Sequence, residues 1–317
     1  MRSRSASTSS DARAQRARLV TLAGGLAFLA ASVALVATKG LILSRDWLFA
    51  WLLLGLLAIS LADPVRWARG VAVDWLPLMA LLLCYDLSRP VREAIGIQPH
   101  TYPQLDADRA LLGGDIPTVE LQRAFHTPGT AHVHDYLAFA VYLSHFFVTL
   151  AVLAVLWKVS HERFRRYRTL VVALATVGFV SYVLFPASPP WLAAYQGHIE
   201  AVPRTIAEMW GHVGIAPAAA LFENRGEFYN QEAAVPSLHA AYPMLLLLFF
   251  WGAGRWARLG LAAYVLAMGL TLVYTGEHYV SDVLAGWLAA GAVVAGVSAL
   301  RARRRSRRAP PPRAHAA

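Results

Sequence analysis

The chain has 317 residues, of which 57% are hydrophobic and only 15% are charged, and its mean hydropathy is +0.45. Soluble domains carry about 45–50% apolar and about 25% charged residues, so this composition excludes an ordinary soluble protein and a disordered chain. The single cysteine, Cys84, excludes a disulfide scaffold. A net charge of +10 would suggest nucleic-acid binding in a soluble protein.

Eight apolar segments are long enough, or nearly so, to cross a hydrocarbon core of about 30 Å as helices of roughly 20 residues. They lie near Leu19–Thr38, Trp47–Ala62, Val71–Leu87, Tyr136–Trp157, Leu170–Phe185, Ser237–Trp251, Leu259–Tyr274 and Ser281–Leu300. None alternates with a period of two residues, which argues against an outer-membrane barrel. We therefore predict an all-α integral membrane protein with about eight transmembrane helices, the first of them an uncleaved anchor.

The basic residues predict the orientation. If the amino terminus is cytoplasmic, 21 of the 29 basic residues fall in cytoplasmic segments. Cytoplasmic loops carry such an excess in membrane proteins. We therefore expect a multi-pass protein of the plasma (inner) membrane with both termini cytoplasmic. The net charge then reports topology, and no nucleic-acid partner is expected.

Two long connections, about Ser88–Asp135 and Pro186–Pro236, fall on the extracytoplasmic side and hold most of the prolines, acidic residues and histidines. Long loops in a compact protein are usually functional. A short amphipathic helix is expected around Val119–Phe125 within the first of them. We expect the chemistry of the protein at this face.

His278 and Asp282 lie at the outer end of the last span and are four residues apart. On a helix they would share a face. The carboxylate could then accept one ring N–H and leave the other nitrogen to attack or bind a substrate. A surface pair without chemistry and a pair of metal ligands remain alternatives for this motif by itself.

A second histidine, His239, opens the sixth span on the same side, after Pro236 and Ser237. Proline fits the entry to a helix, and serine is a preferred N-cap. The amino terminus of such a helix suits a phosphate, and His239 could protonate a leaving oxygen there. Two histidines at one membrane face allow one nucleophile and one general acid, although polar residues also occur at span ends by chance.

These motifs resemble a known enzyme family. Pro236-Ser-Leu-His239 followed by His278-x-x-x-Asp282 resembles the second and third signatures of the type-2 phosphatidic acid phosphatase superfamily, whose members are built on a six-helix membrane core. Phe185-Pro-Ala-Ser-Pro-Pro-Trp191 and Tyr142-Leu-Ser-His145-Phe are similar to elements of its fungal inositol phosphorylceramide synthase branch.

The resemblance covers about residues 71–300 and implies a six-helix catalytic membrane domain there. Residues 1–18 would form a basic cytoplasmic tail, and residues 19–70 two additional transmembrane helices. Residues 301–317 would form a basic, disordered tail that contacts anionic lipid.

The resemblance also implies a mechanism. His278 would attack phosphorus to form a phosphohistidine, with Asp282 orienting its ring. His239 would protonate the departing alcohol and later deprotonate the water or acceptor alcohol. No metal or other cofactor is required in the family. The substrate would be a lipid phosphate or phosphodiester from the outer leaflet, and the acceptor could be an alcohol such as inositol or a lipid.

The sequence departs from the phosphatase pattern at its cations. Arg89-Pro90 matches the end of the first signature, but Leu82 occupies the position of its lysine. Thr271 and Leu272 occupy the Ser-Arg positions of the third signature. The sphingolipid phosphotransferase branches share these losses, so the resemblance favours a transferase or an unusual diester substrate, with head-group transfer somewhat favoured over hydrolysis.

We expect Arg89 and Ser237 to bind the substrate phosphate. Arg92, Arg204 or Arg225 are further candidates for the missing positive charge. A transporter that uses the histidines for proton coupling is an alternative, although transporters place such groups near the midplane. A non-catalytic membrane protein is a second alternative.

Other histidines carry weaker signals. His126, His132 and His134 have loose spacing and no cysteine nearby, so solvated or interfacial side chains are expected there in preference to a metal site. His145 lies about ten residues inside the fourth span, where polar groups are costly. It could line the substrate cavity or make a structural hydrogen bond.

Overall fold

The computed structural model describes residues 3–39, 45–84, 87–214 and 230–307. Within these ranges the regular secondary structure is helical, apart from isolated β-bridges. The helices are α1 (Ser3–Lys39), α2 (Arg45–Ala58), α3 (Pro64–Cys84), α4 (Ser88–Ala94), α5 (Tyr102–Leu111), α6 (Pro117–Phe125), α7 (Val133–Val159), α8 (His161–Leu184), α9 (Pro190–Tyr195), α10 (Thr205–His212), α11 (Leu238–Phe249), α12 (Arg255–Tyr274) and α13 (Val280–Ser306). The predicted all-α membrane fold is confirmed.

Each of the eight predicted apolar segments overlaps a helix in the described part of the chain. In the described part of the chain, α1, α3, α7, α8, α12 and α13 are long and apolar enough to cross a membrane. The apolar parts of α2 and α11, Trp47–Ala58 and Leu238–Phe249, are shorter than a span. Leucines such as Leu266 and Leu288 are exposed on the outside of the helices, as lipid-facing side chains must be. The count of eight spans stays a prediction.

Helix α11 occupies the centre of the bundle, packed against α7, α8, α12 and α13. Its Ala240, Ala241 and Leu245 are completely buried. The crossing with α13 is close because Gly286 has no side chain, and a Cβ there would overlap the carbonyl oxygen of Ser237. The residues at the start of α11 are therefore held in a fixed relation to α13.

Asp74 connects three helices at the end of the bundle where α7 stops and α8 begins. It lies in a π-helical turn of α3 (Val71–Trp75). Its buried carboxylate accepts hydrogen bonds from Trp157 Nε1 at 3.1 Å and from Arg168 Nη1 at 2.9 Å. His161 Nε2 lies 3.6 Å from the same carboxylate. One acidic side chain thus joins α3, α7 and α8 at the end where α7 stops and α8 begins.

The two ends of the chain are more helical than the sequence suggested. Helix α1 begins at Ser3, inside the predicted basic tail. Helix α13 continues to Ser306, so residues 301–306 of the expected disordered tail are helical. Alanine and arginine favour helix, which allows the last span to continue past its apolar part. Residues 308–317 lie outside the described ranges.

Candidate active site

The candidate site lies where α7, α11 and α13 begin and α8 and α12 end. Helix α12 ends at Tyr274, and the chain turns through Gly276, whose φ of 77° suits glycine. The backbone N–H groups of Glu277 and His278 both donate to the carbonyl of Leu272, at 3.0 and 3.1 Å. This turn places His278 immediately before α13.

His278 and Asp282 form a buried pair. His278 Nδ1 lies 3.4 Å from Asp282 Oδ2, and the residues are 4% and 0% exposed. The same Oδ2 accepts the backbone N–H of Tyr279 at 2.9 Å. The predicted pairing is present, but not as two residues on one helix: His278 precedes the helix, and Asp282 caps its first turn. With Nδ1 facing the carboxylate, Nε2 is the ring nitrogen suited to nucleophilic attack.

His239 is brought to this pair by the start of α11. As predicted, Ser237 is the N-cap, and its Oγ accepts the N–H of Ala240 at 3.3 Å. The Ser237 N–H donates to the carbonyl of Asp282 at 3.1 Å, which connects the beginnings of α11 and α13. The ring centroids of His239 and His278 are 5.6 Å apart. The structure therefore gathers two histidines and a carboxylate from two helices.

The peptide that precedes Ser237 is held by α8. Ser181 Oγ donates to the carbonyl of Val235 at 2.8 Å, and Tyr182 Oη donates to that of Pro236 at 2.6 Å. The Val235–Pro236 peptide bond is cis. These contacts fix the approach of the chain to the first turn of α11, where His239 lies.

Helix α7 covers the His239 ring. Tyr142 stacks on it with a centroid distance of 5.2 Å and an interplanar angle of 17°. His145 lies closer, with a centroid distance of 4.0 Å and an angle of 34°. Of the two sequence-based interpretations of His145, this position fits a residue of the site.

A salt bridge flanks the turn that carries His278. The Arg204 guanidinium donates to both Glu277 carboxylate oxygens, at 2.7 and 3.0 Å, and lies 4.5 Å from the centroid of the Trp191 ring. The backbone N–H of Trp191 also donates to the carbonyl of Gly276 at 3.1 Å. The Pro-Pro-Trp element therefore contacts the turn that carries His278, and the sequence alone did not reveal Glu277 as the partner of Arg204.

Asp108 is a second residue that sequence reasoning missed. Its buried carboxylate, on α5, accepts the N–H groups of Val280 and Ser281 at 2.9 and 2.8 Å and so caps α13 from another helix. Burial raises the pKa of the neighbouring Tyr279 hydroxyl, and the Asp282 and Asp108 carboxylates add to the increase. The Tyr279 phenol therefore stays protonated near neutral pH.

The other phosphate-binding candidates are less clearly placed. Arg89 Nε, on α4, donates to Glu93 Oε1 at 2.8 Å, and this hydrogen bond lowers the pKa of Glu93. Arg92 is buried and pairs with Glu232 at 3.3 Å. Arg225 lies outside the described residues. A role for Arg89 and Ser237 in binding phosphate stays a prediction.

No group of three potential metal ligands is present among the described histidines, cysteines and acidic residues. His132 and His134 stack on each other with a centroid distance of 5.5 Å. The His126 side chain is only 6% exposed and lies 3.4 Å from Glu208, so a solvated position is wrong for this residue. It is buried because the segment after α6 packs beside α10.

A sequence model of the PAP2 superfamily matches residues 110–296. This match runs from α5 to α13 and contains both histidines and Asp282. The chain belongs to the PAP2 superfamily. The resemblance inferred from its motifs is thus confirmed.

One curated relative shows 32% identity over 140 residues: the phosphoinositol dihydroceramide synthase of Bacteroides thetaiotaomicron. The aligned stretch covers 42% of this chain and 45% of the relative, so the chain matches less than half of that protein. No solved structure matches this chain. The family match establishes the fold of this chain as that of a PAP2-superfamily membrane protein.

Proposed function

We propose that the protein transfers a phospho-head group between lipids through a covalent intermediate on His278. The observation that supports this most directly is the convergence of His278, Asp282 and His239 at one end of the bundle. The phosphate of a lipid lies at the membrane surface, so an enzyme that acts on it needs its reactive groups at one end of the helix bundle.

In the first half of the reaction, His278 Nε2 attacks phosphorus while Asp282 holds the opposite side of the ring. The phosphorus–nitrogen bond forms, and the bond from phosphorus to the leaving alcohol breaks. His239 gives its proton to the departing oxygen. The buried carboxylate stabilises the positive charge that develops on His278.

In the second half, the acceptor alcohol attacks phosphorus and the phosphorus–nitrogen bond breaks. His239 takes the proton of the acceptor hydroxyl, so both histidines return to their starting states. The head group has then moved from one alcohol oxygen to another. If water replaces the alcohol, the same intermediate gives hydrolysis.

We further propose phosphoinositol as the head group and a ceramide-like lipid alcohol as the acceptor. This rests on the named activity of the relative and on the absence of the usual phosphatase cations, with Leu82 and Leu272 in their places. The amino terminus of α11 would supply part of the missing positive potential, together with Ser237 and Arg89. The arginine distribution supports an extracytoplasmic site in the plasma membrane.

The test uses purified protein in vesicles that contain phosphatidylinositol labelled in the inositol ring, with ceramide as acceptor. Transfer of label to ceramide is the expected result, and it should persist with a metal chelator. His278→Ala should abolish transfer, and His239→Ala should lower it by about 10²–10⁴-fold. His198→Ala, an exposed histidine at the same end of the bundle, is the matched control. An acid quench of the wild-type enzyme should trap label on His278. Full activity in both site variants would refute the mechanism.

A further inference from the structure

We propose that a basic groove between α8 and α13, at the end of the bundle opposite the candidate active site, binds the phosphate of an anionic phospholipid. The groove has a volume of about 490 Å³, and its described lining is Arg166 of α8 and Ser298, Arg301, Ala302 and Arg304 of α13. Ligand pockets are typically of this size, about 300–1,000 Å³. The proposal does not depend on the reaction proposed above.

The ends of the two helices place the groove at the membrane surface. Helix α8 begins at His161, α13 ends at Ser306, and the two helices pack against each other. The candidate active site lies at their other ends, where α8 stops and α13 begins. Ser298 and Leu300 belong to the apolar part of α13, and Arg301 begins its basic part. The groove therefore lies at the boundary between hydrocarbon and polar layer, which is the depth of a lipid phosphate.

The groove carries positive charge with little to balance it. Its described lining contains three arginines and no acidic residue. Arg166 pairs with Glu162, but both side chains are exposed, and such a surface pair is weak enough to exchange for another anion. Within the described ranges, no carboxylate lies within 4.0 Å of Arg301 or Arg304. The groove therefore attracts an anion.

The donors of the groove suit a phosphate. Guanidinium groups donate paired, charge-assisted hydrogen bonds to phosphate oxygens. The hydroxyls of Thr169 and Thr176 on α8 donate to carbonyls of their own helix, both at 2.8 Å. The structure as described gives the Ser298 hydroxyl no such bond. This hydroxyl can therefore donate to a ligand beside the arginines.

An anionic phospholipid fits the groove better than a soluble anion does. Ser298 and Ala302 are exposed, so the groove is open toward the outside of the bundle. Leu300, beside it, is 59% exposed. The lipid phosphate can lie between the arginines while the acyl chains lie along the apolar surface of α13. Basic pockets between transmembrane helices bind anionic head groups in this way, whereas a soluble anion would make the polar contacts alone.

The experiment measures lipid binding to the purified full-length protein in micelles of an uncharged detergent, which contribute no surface potential. Native mass spectrometry counts bound phosphatidylglycerol as its concentration is raised. Arg166→Gln, Arg301→Gln and Arg304→Gln each remove one charge from the lining, and a triple variant removes all three. Arg303→Gln is the matched control, because Arg303 is exposed on the same turn of α13 but is not part of the described lining. These side chains are exposed or half-buried, so the single variants retain the fold.

Each single variant of the lining should weaken phosphatidylglycerol binding by about fivefold. The triple variant should bind it no better than zwitterionic phosphatidylcholine. Arg303→Gln should bind as wild type does, and inorganic phosphate should not displace the lipid.

Three results would each overturn the proposal. Wild-type protein that binds phosphatidylglycerol and phosphatidylcholine equally has no anionic lipid site. A loss in Arg303→Gln as large as in the lining variants would show a general effect of charge. Displacement of the lipid by an equal concentration of inorganic phosphate would assign the groove to a soluble anion.

Discussion

Removal of the Asp108 carboxylate should destabilise the first turn of α13 and displace the His278–Asp282 pair. This side chain is the acceptor for two backbone N–H groups, of Val280 and Ser281. In Asp108→Ala both donors lose their partner in a half-buried position, at about 1–3 kcal/mol each. We expect a loss of about 2–6 kcal/mol in the free energy of unfolding. Asp108→Asn retains one acceptor oxygen and should lose roughly half as much.

Activity should fall as well, because His278 and Asp282 flank the capped turn. A displacement of roughly 1 Å at a reacting group can cost about 100-fold in rate. The stability assay is unfolding of the purified protein in mixed micelles titrated with a denaturing detergent, and the activity assay is head-group transfer.

Asp106→Ala is the matched control, because Asp106 lies on the same helix, is exposed and pairs only loosely with Arg109, at 3.8 Å. An exposed pair of this kind contributes about 0–1 kcal/mol. If Asp108→Ala unfolds at the same detergent fraction as Asp106→Ala and keeps wild-type activity, the capping argument is refuted.

Two further predictions concern the packing around the site. Gly286→Ala should force α13 away from Ser237 and lower the free energy of unfolding by about 1–3 kcal/mol. The control Gly291→Ala has open space around it and should leave the free energy of unfolding unchanged or raise it by up to about 1 kcal/mol. Equal unfolding curves for the two variants would contradict this prediction. Glu277→Gln should cost about 3–5 kcal/mol because it removes the negative charge from a largely buried ion pair with Arg204. The double variant that also replaces Arg204 with Gln should lose less than the sum of the two single changes. Strict additivity in that double-mutant cycle would show that the pair does not interact.

The helices and the local geometry of the candidate site could be predicted because their signals are local. Apolar length predicts a membrane helix directly, and each of the eight segments overlaps a described apolar helix. The serine cap before His239 depends on residues within one turn, and it was confirmed. The His278–Asp282 contact was predicted from a spacing of four, although the structure produces it through a turn and a helix cap instead of one continuous helix face.

The supporting residues could not be predicted because their partners are distant in the sequence. Asp108 caps a helix that begins 172 residues later, and His145 meets His239 only because α7 packs against α11. Buried carboxylates and polar residues inside apolar helices signal that a partner exists, but the signal does not identify it. Only the packing of the bundle supplies the pairing.

The charges at the site end bear on the choice between transfer and hydrolysis. Every described arginine of the connections at that end has a carboxylate within 4.0 Å, namely Arg89, Arg92, Arg109, Arg123 and Arg204. A phosphate monoester brings close to two negative charges and needs cations that are not already compensated. A phosphodiester brings one negative charge. A helix amino terminus, together with one arginine that moves from its carboxylate to the phosphate, can balance that charge. The arrangement therefore favours a diester over a monoester substrate, and a diester is the substrate that the proposed head-group transfer requires.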